Sequence, residues 1–309
     1  MTSPKRHHYL PQFYLERFCR DGGFSVFDRE THEFRRQTPV NTALKSHYYS
    51  VEDENGKKDT RIESFLSELE VHAKQIMLKL ENREDIADED KEELAVFIAF
   101  MMNRVPDFEK AINKMESTLI QRTADMLFSD EERLESILQE HSEDAGGVSD
   151  ISAKEMVEFH KSGNYEIVIH RNESLRMMVN VSLNTANYFR QMEWGIFHCQ
   201  DRTSFITTDN PVVLVPPSDY EKGFWGVGIL TKGARKIFPL SQKSCLVMFD
   251  HGNAICHGAA DQLTTRQINL TLAAYSDRFV IGRDETLVKN IVSTTRLTEW
   301  KREGRIKID

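Results

Sequence analysis

The chain lacks several features that would name a function directly. It has only four cysteines, Cys19, Cys199, Cys245 and Cys256, with no CxxC pair and no zinc-ligand spacing. That argues against a disulfide scaffold or a zinc-finger core, and reduced core thiols in a cytoplasmic protein are the expectation. No stretch reaches membrane-spanning length without charges, so no membrane association is expected. The basic N-terminus is not followed by an uninterrupted apolar run, so a secretory signal is not expected either. There is no GxxxxGK phosphate loop, no GxGxxG dinucleotide turn, no HExxH zinc helix and no GxSxG nucleophile elbow. Neither an internal repeat nor a stacking pattern for single strands is present.

Positive charge is also scarce. The formal net charge is −9, whereas wrapping a nucleic-acid backbone calls for the opposite sign over the contact face. The acidity is uneven, however. Much of it falls at 81–90 and 130–150, while Lys5, Arg6, Arg17, Arg20, Arg29, Arg35 and Arg36 make the first forty residues basic. That polarity permits an anionic small molecule or nucleic acid near the N-terminus.

What is present is a chain of 309 residues, 39% hydrophobic and 29% charged, able to bury a substantial core. Phe24 to Asp28 alternates like a strand, Arg29-Glu30-Thr31 reads as a turn, and His32 to Arg36 returns as a second strand. Asp53-Glu54-Asn55-Gly56 is another turn. Thr60-Arg61-Ile62-Glu63 is a capping box that opens a long amphipathic helix. Glu89 to Met102 forms a second helix. Pro106 opens a third, expected to carry Phe108, Ile112, Met115, Leu119 and Met126 inward. Asp130 to Leu138 continues as helix, and the polar Glu143 to Asp150 segment is the best internal boundary. Ser152-Ala153-Lys154-Glu155 caps a short helix ending near Gly163, and Asn172 to Arg190 is helical.

Beyond Trp194 the pattern changes to short strands at Trp194–Cys199, Phe205–Thr208, Val212–Val215, Lys236–Leu240, Cys245–Phe249 and Phe279–Ile281. Helices are expected over Leu263–Ala274 and around Leu287–Val292. The fold class is α+β: a docked N-terminal segment and hairpin, a bundle-like helical middle, and a mixed, mostly antiparallel C-terminal sheet with helices.

Three segments carry candidate chemistry. The first is the opening run Lys5 to Phe18, where His7 and His8 can move protons or bind metal and Gln12 can fix a ligand oxygen. Neighbouring strand residues face opposite ways, so both histidines converge only if the segment bends. The second is Arg104, which continues the Phe97–Met101 stripe and so points a guanidinium inward or into a cleft, where it needs a carboxylate, carbonyls or an anion. The third is Phe205 to Val213. There Asp209 can orient a histidine, hold a divalent metal or take a substrate proton, with Asn210 beside it. Asn269, with Arg266 three positions earlier, is a weaker candidate. Each group also has a purely structural use, in docking the terminus, pairing a charge or closing an Asx turn.

The run Lys5-Arg6-His7-His8-Tyr9-Leu10-Pro11-Gln12-Phe13-Tyr14-Leu15-Glu16-Arg17-Phe18 resembles the N-terminal signature of a large bacterial family of unknown function, DUF4238. Ile62-Glu63 and Leu69-Glu70 suit that family's first long helix. Phe97 to Pro106 resembles its arginine–proline helix end, with Val105 in place of a small hydroxyl residue. Phe205 to Val212 resembles its central motif, with Thr208 where serine is usual, and Phe238-Pro239-Leu240-Ser241 and Ile268-Asn269 also fit. The resemblance implies one family-wide domain over 1–309, within which the polar segment from Glu143 to Asp150 allows a subdivision into a mainly helical 1–142 and an α+β 151–309. It implies no chemistry. The His-His-x-x-Pro opening is also similar to the start of some HNH-type endonuclease domains, with Asn41 and His47 following, but the compact finger of those domains is absent.

Two functions are expected to compete. In the leading one, a metal-assisted hydrolase acts on a phosphodiester in nucleic acid or another anionic substrate. His7 or His8 moves the proton, Asp209 orients that histidine or holds the divalent metal, and Arg104 neutralises the phosphate. In the alternative, the same residues form a ligand sensor or interaction module around a buried polar network. A solvent-open, basic cluster favours the first, and a sealed, fully hydrogen-bonded one favours the second.

Overall fold

A computed structural model describes residues 6–46, 48–49, 51–52, 58–59, 61–145, 151–200, 202–221 and 227–297. The chain opens with β1 (Arg6–His8), the short α1 (Gln12–Glu16), the hairpin β2 (Phe24–Asp28) and β3 (Glu33–Gln37), then β4 (Leu44–Ser46), β5 (Val51–Glu52) and β6 (Lys58–Asp59). A helical stretch follows: α2 (Arg61–Glu81), α3 (Asp88–Asn103), α4 (Pro106–Leu127), α5 (Glu131–Ala145), α6 (Ala153–Ser162) and α7 (Arg171–Arg190). The last part holds β7 (Met192–Cys199), β8 (Thr207–Thr208), β9 (Val213–Val215), β10 (Arg235–Pro239), β11 (Ser244–His251), β12 (Ile255–Ala260), α8 (Gln262–Ala274), β13 (Phe279–Gly282) and α9 (Glu285–Thr295).

Two sheets organise this α+β architecture. One has the order β12-β7-β11-β10-β9 and is antiparallel except where β12 runs parallel to β7. The other, β3-β2-β13-β8, is antiparallel and joins the N-terminal hairpin to two C-terminal strands. β1 pairs with β4, so the opening segment is held by a ladder. The main core gathers α1, α2, α3 and α7 against β7, β10 and β11, with Phe18, Phe97, Phe100, Phe189, Trp194 and Phe238 fully buried. α3 is buried nearly all round from Leu94 to Asn103, as expected of a helix apolar on every face. A second core lies between the sheets and α8 and α9.

Local signals in the sequence account for the boundaries. Ser152 Oγ accepts the Glu155 N–H at 3.3 Å, Glu155 Oε2 accepts the Ser152 N–H at 2.9 Å, and Gly163 ends α6 at φ 64°. Pro106 stands in the first turn of α4. The Thr60 half of the first capping box, the Asp53–Gly56 turn, His47, and 146–150 of the internal boundary lie outside the described residues.

Two expectations need correction. Leu119 and Met126 of α4 do not face inward: they are 57% and 56% exposed, because α4 packs on the bundle only near its start. Phe205 and Ile206 are not strand. Their N–H groups are taken by the Gln242 carbonyl (3.0 Å) and by Asn269 Oδ1 (3.0 Å), so the ladder begins at Thr207. Among the described residues no helix is long and apolar enough to cross a membrane.

Candidate functional site

The opening segment docks through polar contacts to the other motif segments. Tyr14, fully buried, stacks on Phe238 with ring centroids 5.3 Å apart. Its hydroxyl donates to the Pro239 carbonyl at 3.0 Å and accepts from Thr207 Oγ1 at 2.7 Å. Arg17 donates from Nε to the Leu240 carbonyl at 2.7 Å and pairs with Glu81, and Glu81 also accepts from Ser241 Oγ at 2.7 Å. Residues far apart in sequence thus form one buried junction between bundle and sheet.

Because β1 is a regular strand, His7 and His8 face opposite sides. His7 is buried and stacked on Tyr49. Its Nδ1 accepts the Tyr49 N–H at 3.0 Å, which leaves the ring proton on Nε2, 3.2 Å from Glu63 Oε1. His8 donates from Nε2 to the Val40 carbonyl at 3.2 Å, and Gln12 Nε2 lies 3.4 Å from its Nδ1. Arg104 caps α3 and is 1% exposed. Its Nε donates to the Tyr9 carbonyl at 2.8 Å and its Nη1 to Glu70 Oε1 at 2.9 Å. Asn103 turns away, donating to Ser182 Oγ at 3.2 Å.

The central motif has two sides. Asn210 donates to the Tyr275 carbonyl at 2.9 Å, and Asn269 accepts from Ile206 N–H at 3.0 Å while donating to the Ser204 carbonyl at 2.8 Å. Both amides therefore tie the segment before and after β8 to the α8 region. Asp209 differs, because it lines a cleft. It is 3% exposed, and its two oxygens accept the backbone N–H groups of Asp277 (3.1 Å) and Arg278 (2.7 Å). Burial, and secondarily the charge of Asp277, raise its pKa to about 7 despite those N–H groups. Asp209 is thus poised between acid and base near neutral pH.

The cleft has a volume of about 330 Å³. Tyr9, the residue after β1, lines it together with Asp209. Burial raises the Tyr9 phenol pKa, and the Asp209 charge raises it further, so the hydroxyl stays protonated. The walls carry Arg35, Lys45, Lys110 and Arg278 against Glu30, Asp209 and Asp277. Each of the four cations has a carboxylate partner: Arg35 and Arg278 pair with Asp28, Arg278 also with Glu30, Lys45 with Glu109 and Lys110 with Asp277, so charge in and around the cleft is balanced rather than one-signed.

The two guanidiniums are fixed from behind by Asp28, which is fully buried. Arg278 Nε reaches Asp28 Oδ1 at 3.0 Å, while Arg278 Nη2 and Arg35 Nη2 both reach Oδ2 at 2.9 Å. Burial alone would raise the Asp28 pKa, but hydrogen bonds from Arg278, the Glu30 N–H and Arg35 outweigh it and hold it below the ordinary value. Both guanidiniums also lie against the Phe279 ring, at 4.8 Å for Arg278 and 5.6 Å for Arg35. The Arg278 fork is already spent on Asp28 and its Nη1 also reaches Glu30 at 2.9 Å, so a carboxylate or phosphate entering the cleft would have to displace the exposed Glu30 to reach that guanidinium.

The structure therefore brings Asp209 to a cleft with Tyr9, Arg35 and Arg278, and holds His7 and Arg104 in the packing behind Tyr9. Among the described residues no group of three or more His, Cys, Asp or Glu is arranged to hold a metal ion. In the sequence Arg35 stands out only as one of the basic residues of the first forty and Arg278 not at all, because the two are far apart in the chain. A signal was present in β2, where Asp28 shares the face of Phe24 and Val26 and so had to be an inward carboxylate in need of cations. A family model described as "Protein of unknown function (DUF4238)" matches residues 6–286. No curated protein and no solved structure matches the chain.

Proposed function

The chain belongs to the DUF4238 family, a membership that names no chemistry, and from the geometry of the Tyr9–Asp209 cleft we propose that it binds a small anionic substrate and hydrolyses a phosphoester bond in it. The observation that carries this reading is a buried carboxyl group, held toward its protonated form by that burial, lining the same cleft as two guanidiniums clamped on Asp28. In this scheme Arg35 and Arg278 neutralise the phosphate, and Asp209 accepts a proton from the attacking water or delivers one to the leaving oxygen. The P–O bond to the leaving group breaks as the bond to the water oxygen forms, and the products are an alcohol and a phosphate. A divalent ion would be held by Asp209 or Asp277 together with the substrate's own phosphate oxygens, the arrangement magnesium commonly adopts. The volume of about 330 Å³ suits a mononucleotide-sized ligand or a single exposed phosphate of a chain rather than a duplex.

A non-catalytic ligand sensor is the second reading. It is favoured by the two backbone N–H groups that already occupy Asp209, a lock that ligand binding could reinforce without turnover. The test is hydrolysis of aryl phosphomonoesters and phosphodiesters, with and without magnesium or manganese, by the wild-type chain and by Asp209→Asn. Turnover that Asp209→Asn abolishes supports the hydrolase. Ligand binding without turnover under any condition moves the case to the sensor.

A further inference from the structure

The two guanidiniums of the cleft are not equally open. Among the described residues Arg35 spends only Nη2 on a hydrogen bond, at Asp28. Arg278 spends every nitrogen: Nε and Nη2 on Asp28, and Nη1 on Glu30 Oε2 at 2.9 Å. One of the two cations therefore already holds an exposed anion, and the chain itself supplies it. The carboxylates that engage the cleft's cations also differ in how firmly they are held. Side-chain exposure is 0% for Asp28, 18% for Glu109 and 28% for Asp277, but 63% for Glu30. Glu30 is the one that can leave at little cost, since exposed ion pairs of this kind weigh an equilibrium by about fivefold or less.

The turn between β2 and β3 is built for such a movement. The Glu30 N–H donates to Asp28 Oδ1 at 3.1 Å, so its backbone is anchored on the same carboxylate that clamps Arg278, while its side chain lies mostly in water. Swinging that side chain into solvent leaves the Asp28 clamp intact, and the guanidinium stays in place with Nη1 released. Arg35 and Arg278 contact the same Asp28 Oδ2, so the released Nη1 joins the unspent nitrogens of Arg35 in one cleft. We infer that Glu30 is a resident competitor for the anion site: its carboxylate holds Arg278 Nη1 and swings out when an anion binds. This inference rests on the reading of the cleft as an anion site and adds its regulation.

Calorimetric titration of sulfate into the full chain at fixed pH tests this, with wild type, Glu30→Gln and Glu30→Asp compared after circular dichroism shows each to be folded. Glu30→Gln removes the competing charge and should bind sulfate about fivefold more tightly than wild type. Glu30→Asp separates direct competition from a field effect, because it keeps the charge in the turn on a side chain too short to reach Nη1. Competition predicts a gain of about two- to fivefold for Glu30→Asp as well. A wild type that binds too weakly to measure, beside two variants that bind, is the same result in stronger form. Wild-type affinity in both variants, or a gain in Glu30→Gln alone, overturns the inference and leaves the cleft an anion site. Absence of sulfate binding in all three chains overturns the anion site itself, and the competitor with it.

Discussion

Replacing Asp209 with asparagine should change the pH dependence of stability in a calculable way. The folded chain holds the Asp209 proton up to about pH 7, whereas the unfolded chain releases it near the ordinary value of about 3.9. Between those limits the folded state binds the extra proton, so this group's contribution to stability falls as pH rises. Each pH unit is worth about 1.4 kcal/mol, so the interval from about pH 5 to about pH 7 accounts for about 3 kcal/mol. An asparagine at this position cannot ionise and removes that slope. It also presents an amide NH2 to one of the two N–H groups that Asp209 accepts, at a cost of about 1–3 kcal/mol that does not depend on pH. Urea-unfolding free energies of both chains at about pH 5 and about pH 8 separate the two effects, because the constant cost cancels in the double difference. Relative to wild type, Asp209→Asn should be more stable at the higher pH than at the lower by about 3 kcal/mol. An equal wild-type-to-variant gap at both pH values would refute the raised pKa, and with it the role of Asp209 in proton transfer.

Other perturbations follow from the same contacts. Arg104→Ala should destabilise the chain by about 3 kcal/mol, since it strands the Tyr9 carbonyl and Glu70, and Arg104→Lys should not restore both bonds with a single ammonium; chemical unfolding measures both. Tyr14→Phe leaves the Pro239 carbonyl and Thr207 hydroxyl without their partner, for a loss of about 1–3 kcal/mol that a double-mutant cycle with Thr207→Val should show to be shared. His198 Nε2 and His257 Nδ1 share one hydrogen bond at 3.0 Å, and burial first, then the charge of Arg83, lower both pKa values. Their stabilisation is therefore present above about pH 6.5 and lost as pH falls below it, so His257→Gln should flatten the acid limb of the stability profile.

The parts of this fold that were legible in the sequence are those written in local code. The Ser152 box, Pro106 and the alternation of β2 each depend on residues a few positions apart. Arg104 was legible as an inward charge because its helical stripe is local too. The assembly of the cleft was not, since Asp28, Arg35, Asp209 and Arg278 meet only through the register of β2 with β3 and of β13 with β2 and β8. Tyr9 stands in the opening segment directly after two histidines, whose chemistry is the stronger local signal. The regular β1 ladder then sends those histidines to opposite faces. The apolar positions 119 and 126 of α4 carry the spacing of a core face, but periodicity reports a face without reporting what covers it.

The central claim is that the Tyr9–Asp209 cleft binds an anion and that Asp209 couples this binding to a proton. Calorimetric titration of sulfate, an anion that does not itself titrate near neutrality, into wild type and Asp209→Asn across pH 6 to 8 tests both halves at once. The account predicts wild-type affinity that falls several-fold as pH rises through about 7, where Asp209 becomes charged, and an Asp209→Asn affinity that stays level. Absent binding, or the same pH dependence in both chains, would contradict it.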